Sequence, residues 1–188
     1  MAKICRDCDI TKKTVLYHGT IRSFAESIVR DGINVNINRG AELDFGSGFY
    51  FSDRRTAIRL ARSKEKEREK MKVPDEDTSP VVLRLYVDLD GLHRLKTHTF
   101  KRKGKDWFNF VFDTRCKKQE NDYDLIEGPM ADGAVNSVMG KYNSKPGIFR
   151  KFIVWINYMC IEGIGHVQYV AKTEKAVKYI TIVEIEEA

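Results

Sequence analysis

Two short stretches hold residues whose types and spacing could do chemistry. Tyr17-His18-Gly19-Thr20 sets an imidazole and a hydroxyl beside a glycine whose bare backbone can approach a ligand. Phe45-Gly46-Ser47-Gly48-Phe49-Tyr50-Phe51-Ser52 sets a tyrosine between small residues and apolar ones. A lone histidine at a strand end is more often structural, and glycines before an aromatic strand more often serve a turn. The two stretches together point to a site.

Three other clusters have plainer readings. Asp124, Glu127 and Asp132 surround the Gly128-Pro129 turn. They supply a spare carboxylate or, as the better reading, cap a helix beginning near Gly133. The basic loop 101–105 precedes Trp107, Phe108 and Phe110, and cations beside exposed aromatics can grip a single-stranded nucleic acid. The simpler reading places Trp107 and Phe108 in the core and leaves the loop solvated. Cys5 and Cys8 form a lone C-x-x-C with no second ligand pair, so no metal site is expected. Cys160 and His166 are too loosely placed for a thiol protease.

Phosphate-loop, nucleophile-elbow and H-E-x-x-H patterns are absent from the sequence. Gly46-x-Gly48 is not a dinucleotide fingerprint, because a strand follows it where that fingerprint needs a helix. The 188 residues carry a net charge of +6, which permits a phosphate-bearing partner but is too mild to require one. The first ten residues hold no apolar stretch, so no secretory signal is expected. The most apolar run, 152–161, is broken by Asn157 and too short to span a bilayer. A soluble, cytoplasmic protein without membrane contact is expected.

The elements that must position these residues follow from periodicity and punctuation. Residues 15–19 predict a strand ending at Gly19. The helix after it has Ser23 and Glu26 at capping-box spacing and Phe24, Ile28 and Val29 on one face. Asp31-Gly32 ends that helix. Residues 33–40 read as a polar loop or edge strand, and 44–48 as a glycine loop entering the short aromatic strand 49–52. Asp53 caps the next helix, whose sign-alternating tail 63–70 reads as a solvated surface.

An exposed loop, 74–80, leads to a strand over 81–88. Trp107, Phe108, Val111 and Phe112 make a helical stripe. Strands are predicted at 123–127, 167–171 and 180–185, helices at 134–142 and 148–160, and a short helix from Thr173. Strands and helices do not alternate strictly. The fold class is therefore α+β, a single domain over 1–188 with a mixed or antiparallel sheet and a loose N-terminus over 1–13.

Leu16-Tyr17-His18-Gly19-Thr20, then Ser23-Phe24-Ala25 and Ile28, then Asp31-Gly32-Ile33, then Phe45-Gly46-x-Gly48-Phe49-Tyr50-Phe51-Ser52-Asp53, resembles the catalytic domain of the ADP-ribosyltransferases. The likeness is closest to the diphtheria-toxin and poly(ADP-ribose) polymerase branch, which uses a His, a Tyr and a Glu on three strands. It covers roughly the first sixty residues. The segments 123–132 and 167–173, with Ala176, resemble a set of bacterial proteins given the same core.

The resemblance implies split antiparallel or mixed sheets flanked by helices, and NAD⁺ as the substrate. It implies that His18 hydrogen-bonds the adenosine ribose with help from Thr20, and that Gly19 offers its backbone to the nicotinamide carboxamide. Tyr50 would stack on the nicotinamide ring, with Gly48 shaping the turn and Ser52 nearby. Asn34 falls where the polymerase branch has an arginine near the adenosine. Gln168 falls where the family has its glutamate, which steadies the oxocarbenium ion formed as nicotinamide leaves.

Gln168 keeps a hydrogen bond but no charge. A carboxylate about 4 Å from that cation contributes on the order of 4 kcal/mol at an effective dielectric of 20. Its loss slows cleavage by up to about a thousandfold. His166, two residues earlier, is a possible general base. The family's second stacking aromatic is missing, since Ile58, Leu60 and Ala61 occupy that stretch.

The expectation is an NAD⁺-dependent mono-ADP-ribosyltransferase. It would modify a protein or nucleic-acid acceptor, as a bacterial toxin or defence effector with a neutralising antitoxin partner. The alternatives are a catalytically weak NAD⁺ or ADP-ribose binding module and an RNA-binding domain.

Overall fold

Seven strands and five helices lie among the described residues of the computed structural model, which are 13–38, 43–74, 76–131, 144, 147 and 166–188. In chain order they are β1 (Thr14–Ile21), α1 (Arg22–Asp31), β2 (Phe49–Ser52), α2 (Arg54–Met71), β3 (Pro80–Val87), α3 (Leu89–His93), β4 (Thr97–Thr99), α4 (Lys105–Lys117), β5 (Leu125–Pro129), β6 (Val167–Ala171), α5 (Glu174–Val177) and β7 (Ile180–Glu187). The strands form one sheet in the order β4-β5-β6-β2-β1-β3-β7. Every pairing is antiparallel except β4 with β5. The mixed sheet of an α+β protein is therefore present.

Strand alternation sorts the core into two layers. One face carries Leu16, Phe49, Phe51, Leu83, Leu85, Leu125 and Ala171, packed with Ala25 of α1, Leu92 of α3 and Ala176 of α5. The other carries Ile126 and Val170 under Trp107, Phe108, Val111 and Phe112 of α4. Each of these large side chains contributes about 1.5–3 kcal/mol by leaving water. β3 buries Val81, Leu83, Leu85 and Val87 on one face and Val82 on the other, which is why it reads as a mostly apolar run.

The sequence expectations hold for most elements, with three differences. α1 begins at Arg22 with Ile21 as its cap residue, so Ser23 is not an N-cap. The donors of Arg22 and Ser23 are met instead by the carbonyls of Ser79 and Asp77 at 2.9 and 3.1 Å. Turns occupy 35–38, the loop of the two alternatives expected there. α3 and β4 have no counterpart in the sequence reading, being only five and three residues long. β5 runs through Gly128 and Pro129, so the turn expected at that pair is strand instead. Asp53 caps α2 as expected, accepting from Thr56 N at 3.0 Å. The expected helices at 134–142 and 148–160, and the N-terminal segment with Cys5 and Cys8, lie outside the described residues, as do Asp132 and Cys160.

Candidate functional site

β1, β2 and β6 are neighbours, so His18-Gly19-Thr20, Tyr50 and Gln168 come from three adjacent strands. The ladder between β1 and β2 is short. β1 pairs with β3 along its whole length from Thr14 to Ile21, but with β2 only at Tyr17 and Ser52. β2 then pairs with β6, setting Ser52 opposite Gln168 and Tyr50 opposite Val170. Tyr17, Ser52 and Gln168 thus form one row, beyond which β1 and β2 part at the level of His18 and Gly19.

His18 bridges that seam. Its Nδ1 lies 2.6 Å from the Tyr50 carbonyl, an acceptor that a continued ladder would have satisfied from the backbone. A carbonyl only accepts, so Nδ1 carries the proton and Nε2 is left with its lone pair. The ring stacks on Phe49, with centroids 4.5 Å apart. Burial lowers the imidazole pKa to about 4, Lys64 adds to the effect and the bond to Tyr50 opposes it. His18 is therefore neutral at pH 7.

Thr20, two positions on, is buried with its hydroxyl unpartnered among the described residues. Lys64 was expected on a solvated surface. It lies instead over the Phe24 ring at 5.4 Å, with its own pKa lowered by burial.

Gly19 is required by packing alone. A Cβ there would sit 1.8 Å from the Ala57 carbonyl oxygen of α2, so only glycine lets the helix lie against the strand. Gly48 has φ of +154°, and a Cβ on it would come within 2.8 Å of the Ala171 carbonyl. The loop that Gly46 and Gly48 serve is clamped from three sides. The Tyr50 hydroxyl donates to Gly46 O at 2.7 Å and accepts from Phe45 N at 3.1 Å. Asn38 holds both backbone groups of Gly48, and Lys172 Nζ donates to the carbonyls of Phe45 and Ser47 at 2.9 and 2.8 Å. Burial lowers Lys172 to about 8 and raises the Tyr50 phenol well above its ordinary value.

The same loop delivers a residue that the sequence reading passed over. Asp44 is buried, and its Oδ2 accepts from Gln168 Nε2 and from Ala131 N, both at 2.8 Å. Its Oδ1 meets Arg115 at 3.0 Å. Burial pushes the Asp44 carboxyl above the usual range, and the Ala131 amide, Arg115 and Gln168 pull it back. Gln168 is itself only 4% exposed. No local signal marks this pair, whose members are 124 positions apart.

The other expected site residues are more scattered. Ser52 is buried, and its hydroxyl donates to Asp53 O at 3.3 Å. His166 precedes β6 and is exposed, with Nδ1 3.8 Å from the Asp53 carboxylate. Asn34 is exposed and spends its Oδ1 on Asn36 N in a local turn at 2.9 Å.

Asp124 and Glu127 do not supply a carboxylate to Gln168. Asp124 accepts from Thr173 Oγ1 and Lys96 N, and Glu127 pairs with His93 on the face opposite Gln168. Trp107 and Phe108 are fully buried, so they offer no stacking surface to a nucleic acid. Among the described residues, no group of three or more His, Cys, Asp or Glu side chains could hold a metal ion. No described helix is long and apolar enough to cross a membrane.

His18, Tyr50 and Gln168 do not all face one another. His18 touches the Tyr50 backbone at the seam. The side chains of Tyr50 and Gln168 share the other face and meet through the 44–46 loop. The arrangement offers a neutral imidazole, an unpartnered hydroxyl, a parted strand seam and a buried amide fixed by a carboxylate. No curated protein matches the chain. Residues 14–182, which span every element but the end of β7, match a family described as "Protein of unknown function (DUF3990)", and the chain belongs to that family.

Proposed function

We propose that the protein is an NAD⁺-dependent ADP-ribosyltransferase that moves one ADP-ribose unit to a macromolecular acceptor. The observation that carries this reading is the seam. The strands bearing His18-Gly19, Tyr50 and Gln168 are adjacent, and the ladder between the first two stops after one pair. Backbone groups of Gly19 beyond that pair are where a carboxamide could add its own two hydrogen bonds. The lone pair on His18 Nε2 and the Thr20 hydroxyl suit the hydroxyls of a ribose.

In the reaction, the bond between the anomeric carbon and the nicotinamide nitrogen breaks, and its electron pair leaves with nicotinamide. The acceptor's nucleophile bonds to that carbon and gives its proton to a base. His166 stands exposed beside Asp53 at the same end of the Ser52–Gln168 row and can take it.

A second reading has its own support. Gln168 carries no charge, and Ile58, Leu60 and Ala61 occupy the stretch where the transferases that the motifs resemble have a second stacking aromatic. A binding module for NAD⁺ or ADP-ribose needs neither.

Nicotinamide release from NAD⁺ by the purified protein separates the two. The transferase reading expects release that falls by about tenfold or more in His18→Ala and in Gln168→Ala, each checked for folding. Saturable NAD⁺ binding with no release in lysate or RNA would select the binding module. Neither binding nor release would dismiss both.

A further inference from the structure

We propose that Asp44 is the positioning residue of Gln168, and that it fixes the amide so that its oxygen is the acceptor offered to substrate. The proposal rests on the transferase reading above. Its physical basis is the asymmetry of an amide beside a carboxylate. An ionised carboxylate only accepts, and Asp44 already accepts from Ala131 N and Arg115. Of the two ends of the Gln168 amide, only the NH₂ can face it, and Nε2 lies 2.8 Å from Oδ2. Gln168 Oε1 is thereby turned away from Asp44, and among the described residues it accepts no hydrogen bond.

An acceptor held in one orientation is what a ribose hydroxyl requires, and it is what the transferases that these motifs resemble would obtain from a glutamate. Without Asp44 the amide can turn end for end and present a donor where the hydroxyl's proton must go. The carboxylate also polarises the amide it holds, which strengthens the far oxygen as an acceptor. Arg115 offsets the charge of Asp44 at longer range, so the effect is orientation and not a field felt across the site.

This predicts an outcome opposite to that expected if Gln168→Glu simply supplied the glutamate of the transferases that the motifs resemble. Gln168→Glu brings two carboxylates within hydrogen-bonding distance, and such a pair must share a proton. Its proton is held in the folded state above the ordinary carboxylate range. Stability and activity are therefore present at mildly acid pH and are lost as pH rises through the raised value.

The test measures nicotinamide release and thermal unfolding, from about pH 5.5 to about pH 8.5, for the full chain and four variants. Asp44→Ala is expected to lower kcat by about ten- to a hundredfold with KM within about twofold, because the lost orientation acts in the transition state. Asp44→Asn, whose amide oxygen can still accept from Gln168, should recover part of that loss. Gln168→Glu should be slower than wild type and lose both activity and unfolding midpoint as pH rises. Asp44→Asn/Gln168→Glu should lose that pH dependence.

Active wild type, with Asp44→Ala matching it in kcat and only its midpoint lowered, would make Asp44 merely structural and overturn the proposal alone. So would a Gln168→Glu variant faster than wild type with no new pH dependence. A wild type that neither binds nor cleaves NAD⁺ overturns the transferase reading, and the proposal with it. The unfolding data would still report whether the two side chains are coupled.

Discussion

Two residues show how the same chemistry serves fold and site. His18 fills the acceptor left open where the β1–β2 ladder stops, and it does so neutral. Its folded pKa of about 4 lies below the ordinary 6.5, so the unfolded chain binds the proton more readily. The stability this contributes is present above about pH 6.5 and is lost as pH falls from there towards about 4. Partial exposure of the residue makes about 3 kcal/mol an upper bound.

His18→Gln keeps a donor for Tyr50 O and does not titrate. Its unfolding midpoint should therefore vary less between pH 7 and about pH 4.5 than that of the wild type, and an equal dependence would contradict the assignment. Gly19 is the packing counterpart. Gly19→Ala drives a Cβ into the Ala57 carbonyl of α2, which must shift, and should cost about 3 kcal/mol or more in urea unfolding. A loss below about 1 kcal/mol would show that α2 yields freely.

At the scale of elements, the glycine loop before β2 is the part whose purpose was hardest to read. Its glycines were legible as a turn, but what holds the turn is remote: Lys172 just after β6, Asn38 before the loop and the Tyr50 hydroxyl folded back on it. Lys172→Met removes two bonds from a charged donor and should lower stability by about 2 kcal/mol, with faster hydrogen exchange at 45–48 as the local readout. Unchanged exchange there would mean that Tyr50 and Asn38 suffice.

Elements with strong local patterns were legible. They include the apolar run of β3, the stripe of α4, the Asp53 cap and the short helix from Thr173. Those set by distant partners were not. The start of α1 is satisfied by the carbonyls of Asp77 and Ser79, which no capping-box spacing reveals. The charged tail of α2 was legible as helix. Its contacts with Phe24, and so the proximity of Lys64 to His18, exist only through the packing of α2 beside α1.

For the whole molecule, strand order turns three separated motifs into one region. β6 arrives from late in the chain to lie beside β2, and β1 closes on its other side. Types and order were legible for His18, Tyr50 and Gln168. The Asp44 carboxylate that Gln168 meets was not, because nothing near residue 44 anticipates residue 168.

The most direct test of the central claim is a titration of isotope-labelled protein with NAD⁺, following backbone amide resonances. The account predicts saturable shifts concentrated at 18–20, 50–52 and 168, attenuated in His18→Ala. Saturable shifts confined to other elements, or none at millimolar NAD⁺, would contradict a nucleotide site at the β1–β2 seam.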